Sequence, residues 1–248
     1  MTDPGSLAGV LFVTGTGTGV GKTIVTAAAA ALAAAAGQRV AVVKLAQTGV
    51  HDGPGSDIPD LETVTRLSGV TDTHELARFP DPLSPEAAAR VSGLPPADFD
   101  RARTLIAELA ATRDLVLVEG AGGLLVRYDS DGTTIADLAT ALDAPALVVT
   151  APGLGTLNHT ALTVEAAAAR KVTTAGIVIG SWPRHPGLAE RENMIDLAAV
   201  SAGAPVIGRL PEGCGSLSRQ RFRAVASDGL APGLGGHFAY SGVIGAIA

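Results

Sequence analysis

Leu11-Phe12-Val13-Thr14-Gly15-Thr16-Gly17-Thr18-Gly19-Val20-Gly21-Lys22-Thr23 combines the residue types that hold phosphate. Glycines at 15, 17, 19 and 21 let backbone N–H groups turn inward around an anion. Lys22 and Thr23 then open an alanine-rich run, and a helix start adds unpaired donors and a partial positive charge. In such a loop the lysine reaches the outer phosphates of a nucleoside triphosphate, and the threonine hydroxyl ligates Mg²⁺. One spacing departs from the common pattern. Five residues before Gly21 stands Thr16, and the glycine is one place further back, at Gly15. A glycine turn before a helix also occurs without a ligand, but here strand, glycines, Lys-Thr and helix coincide.

Other candidates lie at the ends of apolar runs. Lys44 follows Val40-Ala41-Val42-Val43, and Leu45-Ala46-Gln47-Thr48-Gly49 follows it. Ligands gather at the carboxyl ends of strands in open parallel sheets. A lysine there is either solvated at the rim or paired with an anion, and its neighbours favour the anion. Asp60 begins a helical pattern with Leu61, Val64 and Leu67. It either complements the helix dipole or faces a metal across the loop. Asp57 competes with it as the metal acid. Glu119 ends Leu115-Val116-Leu117-Val118 and precedes Gly120-Ala121-Gly122-Gly123, a layout suited to a second Mg²⁺ contact. Pro152 to Leu157 leads into a helix expected from Asn158 to Arg170, capped by Asn158 or Thr156, whose start is a second anion site.

These residues need a frame, and the alternation of apolar runs with helical stretches supplies one. Strands are expected at 10–13, 40–43, 115–118, 145–151, 172–179 and 206–208, with helices between them. Gly180-Ser181-Trp182-Pro183 is expected to turn away from the fifth strand, and Leu210-Pro211-Glu212-Gly213 forms the last strand-end loop. Strand–helix–strand units cross over right-handed, so the expected fold is α/β: one doubly wound, mainly parallel sheet with phosphate-loop NTPase architecture. It spans residues 1–226, and the Gly/Pro-rich 227–248 is expected to be weakly ordered.

Composition narrows the function. The chain has 248 residues, 47% of them hydrophobic and 17% charged, enough for a buried core and against disorder. A net charge of -6 without a basic run argues against a nucleic-acid surface. Mean hydropathy is +0.34, yet the longest apolar run, 24–36, is short of the ~20 residues of a membrane span. The first residues lack a basic, then apolar leader, so a cytoplasmic location is expected. Cys214 is the single cysteine, and the five histidines are scattered.

With these segments in order from residue 10 to about 213, the chain resembles the dethiobiotin synthetases. The carrying pieces include Val13 to Thr23, Lys44 to Gly49, Ser84-Pro85, Val118 to Gly123, Leu154 to His159 and Gly180 to Pro183. In that family the loop glycine also sits one residue further back. The resemblance implies a cytoplasmic homodimer joining CO₂ to 7,8-diaminononanoate with ATP and Mg²⁺. One amine becomes a carbamate, the carbamate attacks the γ-phosphate, and the second amine closes the ring. By the same resemblance Lys44 and Thr48 hold the carbamate, and Lys22 and Thr18 the transferring phosphoryl group. Thr23, Asp60 and Glu119 hold Mg²⁺. Gly19, Val20, Gly21, Ile24, Gly120, Ala121 and Gly122 line the nucleotide, with Gly180, Ser181, Pro211, Glu212 and Gly213 at the base and ribose. Gly155, Thr156, Leu157 and Asn158, from the other subunit, take the substrate carboxylate. Many members have proline at Leu45 and an adenine-reading asparagine at Gly180, so a relaxed base preference is expected. The alternative is a partition or positioning ATPase. Those carry an additional lysine early in the loop, and 15–21 contains none. A second alternative, an amide-forming synthase of cofactor biosynthesis, would usually need a glutaminase domain with a nucleophilic cysteine, and the length and the lone Cys214 argue against it.

Overall fold

The computed structural model describes residues 8–51, 53 and 58–240. The buried run after Ala8 forms β1 (Gly9–Gly15), and the alanine-rich segment forms α1 (Lys22–Ala35). There follow β2 (Val40–Lys44), β3 (Gln47–Thr48), α2 (Asp60–Ser68), β4 (Thr73–Glu75), β5 (Arg78–Phe79), α3 (Pro85–Ser92) and α4 (Phe99–Ala110). The second half holds β6 (Leu115–Glu119), α5 (Ile135–Ala141), β7 (Ala146–Thr150), α6 (Thr156–Ala169), β8 (Thr174–Trp182), α7 (Leu188–Asp196), β9 (Val206–Pro211) and α8 (Arg219–Gly229).

Seven strands make one parallel sheet in the order β4-β2-β6-β1-β7-β8-β9, and β3 pairs with β5 apart from it. Successive side chains point to opposite faces. Leu11 and Val13 of β1 join the cluster shared with α1, α2 and α8, while Phe12 joins the one shared with α3, α4 and α5. A third cluster, with Val148, Ile177 and Ile179, packs on α6 and α7. Small side chains let α1 lie close to the sheet, and Ala27, Ala28 and Ala30 are fully buried. The centre of the sheet, β6-β1-β7, brings three strand ends to one edge, and the phosphate loop leaves from the middle one.

Thr14 in β1 is the exception to a satisfied core. Among the described residues its Oγ1 is the one buried side-chain polar atom without a hydrogen-bond partner. Such a group costs about 1–3 kcal/mol. Thr14→Val, which keeps the shape and removes the hydroxyl, is expected to stabilise the fold by about 1 kcal/mol in urea titrations. An unchanged or lowered midpoint would contradict this.

Two expectations need correction. β8 does not end at Ile179: Gly180, Ser181 and Trp182 continue the strand, and Trp182 is in register with Pro211 of β9. The segment from 227 is not weakly ordered as far as Tyr240. α8 runs to Gly229 because Phe222 and Ala226 bury against the α1 side of the sheet. Buried Leu230 bridges Gly208, Ala231 donates to the Ile207 carbonyl at 2.9 Å, and Tyr240 Oη donates to the carbonyls of Met194 and Ile195. The segment thereby covers the edge strand β9. Among the described residues no helix is long and apolar enough to cross a membrane.

Candidate active site

Parallel register sets Lys44, the last residue of β2, opposite Glu119, the last of β6. Lys44 Nζ lies 2.8 Å from Glu119 Oε1 and 2.5 Å from Asp60 Oδ2, and it also donates to the Gly120 carbonyl at 3.3 Å. The Lys44 and Glu119 side chains are 4% and 2% exposed, Asp60 29%. Burial alone would push the Lys44 ammonium towards neutrality, but attraction to Glu119 and Asp60 outweighs it and its pKa is raised. Glu119 also accepts from two hydroxyls. Thr23 Oγ1 donates to Oε1 at 2.9 Å, and Thr26 Oγ1 donates to Oε2 at 2.6 Å. Gln47 completes the arrangement: its Oε1 accepts from the Asp60 amide at 2.9 Å, and its Nε2 donates to the Thr48 carbonyl at 3.2 Å. Thr48 and Asp60 are thus joined through one amide side chain. Asp57 lies outside the described residues.

The phosphate loop folds as the glycines demand. A side chain at Gly15 would place its Cβ 2.8 Å from Val20 Cγ2 and 3.0 Å from the Gly17 carbonyl oxygen. That crowding accounts for glycine at 15, while Thr16 donates its amide to the Val149 carbonyl of β7 at 2.9 Å. Gly21, with φ 96°, takes the left-handed conformation just before α1. Lys22 Nζ bends back to the Gly17 carbonyl at 3.0 Å. Thr18 is exposed beside Gly122, so both face the mouth of the loop. At the β6 turn the Gly120 amide is held by the Val13 carbonyl, and the Ala121 amide donates to Tyr128 Oη at 2.6 Å. Tyr128 is fully buried, which pushes its pKa up to about 12. Both amides are thus engaged within the chain.

Lys22 has its pKa lowered to about 8, first by burial and then by the nearby Lys44, with Glu119 and Asp60 partly offsetting. A folded-state pKa below the unfolded value of 10.5 means that the unfolded chain binds more protons between those limits. Stability of the metal-free, nucleotide-free protein is therefore expected to rise as pH climbs from about 8 to 10.5, by at most about 3 kcal/mol from this group. Urea midpoints across that window, with Lys22→Met as the control lacking the rise, test it. Parallel profiles for the two proteins would refute it.

The α6 start differs from expectation. Its N-cap is Gly155, with φ 93°, and neither Asn158 nor Thr156 caps it. Thr156 Oγ1 instead donates to the Ala151 carbonyl at 2.5 Å, and Asn158 is an exposed residue of the first turn. The Leu157 and Asn158 amides, so near the helix start, have no intrahelical acceptor. Between β7 and α6 the chain is held by buried Asn193, whose Nδ2 donates to the Pro152 and Gly153 carbonyls, each at 2.9 Å. At the sheet edge Trp182, which follows Gly180 and Ser181 in β8, is in register with Pro211, and the Glu212 amide donates to the Trp182 carbonyl at 2.7 Å. Gly213 takes φ 73°, and Arg66 of α2 donates to the Gly215 carbonyl at 2.7 Å. Ile24 packs beneath Gly215. An open cleft of ≈ 390 Å³ flanks the loop, with Leu124, Leu125, Val126 and Leu162 among its walls.

A phosphate loop, a strand-end glutamate, a helix-start aspartate and a buried lysine do not by themselves select one family, and sequence likeness does. A model described as an AAA domain matches residues 9–215. A protein of Frankia casuarinae named ATP-dependent dethiobiotin synthetase is 60% identical over 199 residues, 80% of this chain and 82% of that one. The chain belongs to the dethiobiotin synthetase family. Members so named from Rhodococcus jostii and Streptomyces coelicolor are 58% and 54% identical, over 88% and 92% of this chain and 93% and 94% of theirs. The dethiobiotin synthetases are ATP-dependent ligases by name. Solved structures share the fold at lower identity. The cell division ATPase MinD of Pyrococcus furiosus superposes with TM-score 0.53 at 18% identity, covering 89% of this chain and 97% of that one. A ParA family ATPase from Chlorobium tepidum gives TM-score 0.53 at 16%, covering 94% and 96%.

The structure adds four residues to the site's support that sequence reading passed over: Thr26, Gln47, Tyr128 and Asn193. Thr26 carried a signal, a hydroxyl one turn after Thr23 in an alanine run. The others act through long-range contacts that no local spacing announces.

Proposed function

We propose that this chain joins CO₂ to 7,8-diaminononanoate and closes the ureido ring of dethiobiotin, consuming ATP and releasing ADP and phosphate. The observation that carries the reading is Lys44 held between Glu119 and Asp60 at the mouth of the phosphate loop. An amine of the substrate adds to CO₂, losing a proton to leave a carbamate. A carbamate oxygen attacks the γ-phosphorus and ADP departs. The second amine attacks the carbamoyl carbon, phosphate leaves, and the ring is closed. Both reactants of the middle step are anions, so the site must neutralise them and hold them in line. Lys22 and Thr18 would serve the phosphoryl group, and Lys44 and Thr48 the carbamate. Two carboxylates and the Thr23 hydroxyl are hard oxygen donors suited to Mg²⁺, which needs few protein ligands when phosphates and water supply the rest. Among the described residues no cluster of three or more His, Cys, Asp or Glu offers another metal site. Mg²⁺ would supply charge neutralisation on the β- and γ-phosphates. With Asp60 and Glu119 engaged by such a cation, the Lys44 ammonium would be free to face the carbamate.

The α6 start would take the substrate's carboxylate, and the aliphatic chain suits the cleft beside Leu124 and Val126. By family resemblance that helix start reaches the neighbouring protomer's site. Exposed Leu154, at 93%, and Leu162, at 57%, support a two-fold apolar interface there. The location is cytoplasmic in this reading.

Phosphate release with ATP and Mg²⁺, with and without the diamine plus bicarbonate, tests the function when dethiobiotin is followed by mass. Release that depends on the diamine and yields dethiobiotin is expected; release indifferent to it would sink the reading. In the same assay, kcat/KM for ATP and the pyrimidine triphosphates is expected to agree within about tenfold, since Gly180 offers no amide to an adenine ring. A strong preference for ATP would end that expectation.

A further inference from the structure

Thr150, the last residue of β7, is fully buried, and its hydroxyl meets three others. Thr156 Oγ1 lies at 2.6 Å, Thr160 Oγ1 at 3.0 Å and Thr16 Oγ1 at 3.3 Å. The direction of the chain follows by elimination. Thr156 gives its hydrogen to the Ala151 carbonyl, so Thr150 must donate to Thr156, and Thr16 and Thr160 must donate to Thr150. One hydroxyl therefore fixes the entry of the phosphate loop, through Thr16, and the first turns of α6, through Thr156 and Thr160. Main-chain ties hold both segments independently: Thr16 N to the Val149 carbonyl, and His159 N to the Gly155 carbonyl. Losing the hydroxyl should shift the two segments and leave the fold standing.

We propose that Thr150 is a positioning residue that sets two ligand sites at once, the triphosphate at the loop and the diamine's carboxylate at the α6 start. This rests on the function proposed above. It predicts a signature that a local defect at either site does not produce. Thr150→Val is expected to raise KM for both nucleotide and diamine about threefold or more, with kcat within about twofold of the parent. Thr150→Ser, which restores the hydroxyl, should return both constants. Thermal unfolding monitors the fold. Movement of one KM alone, of neither, or of kcat instead would overturn the proposal, as would failure of the serine to rescue. If Thr150→Val does not fold, Thr16→Val reports instead: it should raise the diamine KM as well as the nucleotide KM, and a rise confined to the nucleotide would overturn the proposal. A parent protein that makes no dethiobiotin removes the functional reading itself, an outcome distinct from an active parent whose constants the variants leave unmoved.

Discussion

Lys44→Met is expected to abolish dethiobiotin formation, by at least about a hundredfold in kcat, and to destabilise the fold by about 3–5 kcal/mol. Both losses have one cause. Lys44 is 4% exposed and neutralises a buried Glu119 together with Asp60. Methionine fills similar space and strands two carboxylates near each other. Thr23 and Thr26 still donate to Glu119, but hydroxyl dipoles replace a full charge only in part. Urea unfolding and product assays on the same preparation separate the terms. Adding Glu119→Gln removes the stranded charge and is expected to recover part of the stability and none of the activity. Recovery of activity in that double variant would remove Lys44 from the chemistry. A single variant as stable as the parent would mean the pair is not the buried bridge described.

The second large effect concerns Gly180, where a side chain has nowhere to go. Its Cβ would fall on the Val20 carbonyl oxygen, 2.7 Å from Val149 Cγ1 and 3.0 Å from Gly21 Cα. Gly21 meets the same obstacle in return, its Cβ position being 2.6 Å from the Gly180 carbonyl oxygen. Two glycines lie face to face, and the phosphate loop rests directly on β8. Gly180→Asn, which introduces the amide expected to read adenine, should therefore push the loop away from β8. A displaced loop misaligns the amides that would hold phosphate, and a hydrogen bond to a charged group is worth about 1.5–3 kcal/mol, so nucleotide affinity is expected to fall by about a hundredfold, with no gain in selectivity for ATP. Gly180→Ala should show most of the loss, because the clash begins at Cβ. Calorimetric titration with ADP and Mg²⁺ measures it. Undiminished binding with new preference for adenine would show that the loop moves freely in this chain.

The sequence was most readable where one segment does everything. Glycines, lysine, strand and helix of the phosphate loop are contiguous, and β1, α1, β2, β6 and β7 lie within a residue or two of expectation. Lys44, Asp60 and Glu119 were legible as strand-end or helix-start charges. Their convergence on one ammonium required the register of β2 with β6. Strands β3, β4 and β5 escaped because two or three residues cannot display a period, and β5 owes its strand pairing to a segment over thirty residues earlier. α8 was missed because Phe222, Val225 and Ala226 form a thin apolar stripe among arginines and polar residues. Residues 230–240 carry no local signal for a related reason: Leu230, Leu234, Phe238 and Tyr240 follow no regular spacing, and their partners are β9, α1 and α7. At α6, hydrogen-bonding residues suggested a cap, but the left-handed Gly155 ends the loop first and leaves Thr156 free to turn towards β7.

Every neighbour in the main sheet is parallel, so no two adjacent strands can be joined by a hairpin. β1 sits between β6 and β7, both distant in sequence. A growing chain that has only just completed α1 carries the full phosphate-loop sequence but neither of the walls on which that loop leans. Glu119 arrives with β6, and the Val149 carbonyl that anchors Thr16 arrives later still. Unfinished or truncated chains thus hold the phosphate-loop sequence without Glu119, without the Val149 carbonyl and without the strands that flank the loop, and its local order must wait for the carboxyl-terminal half to dock.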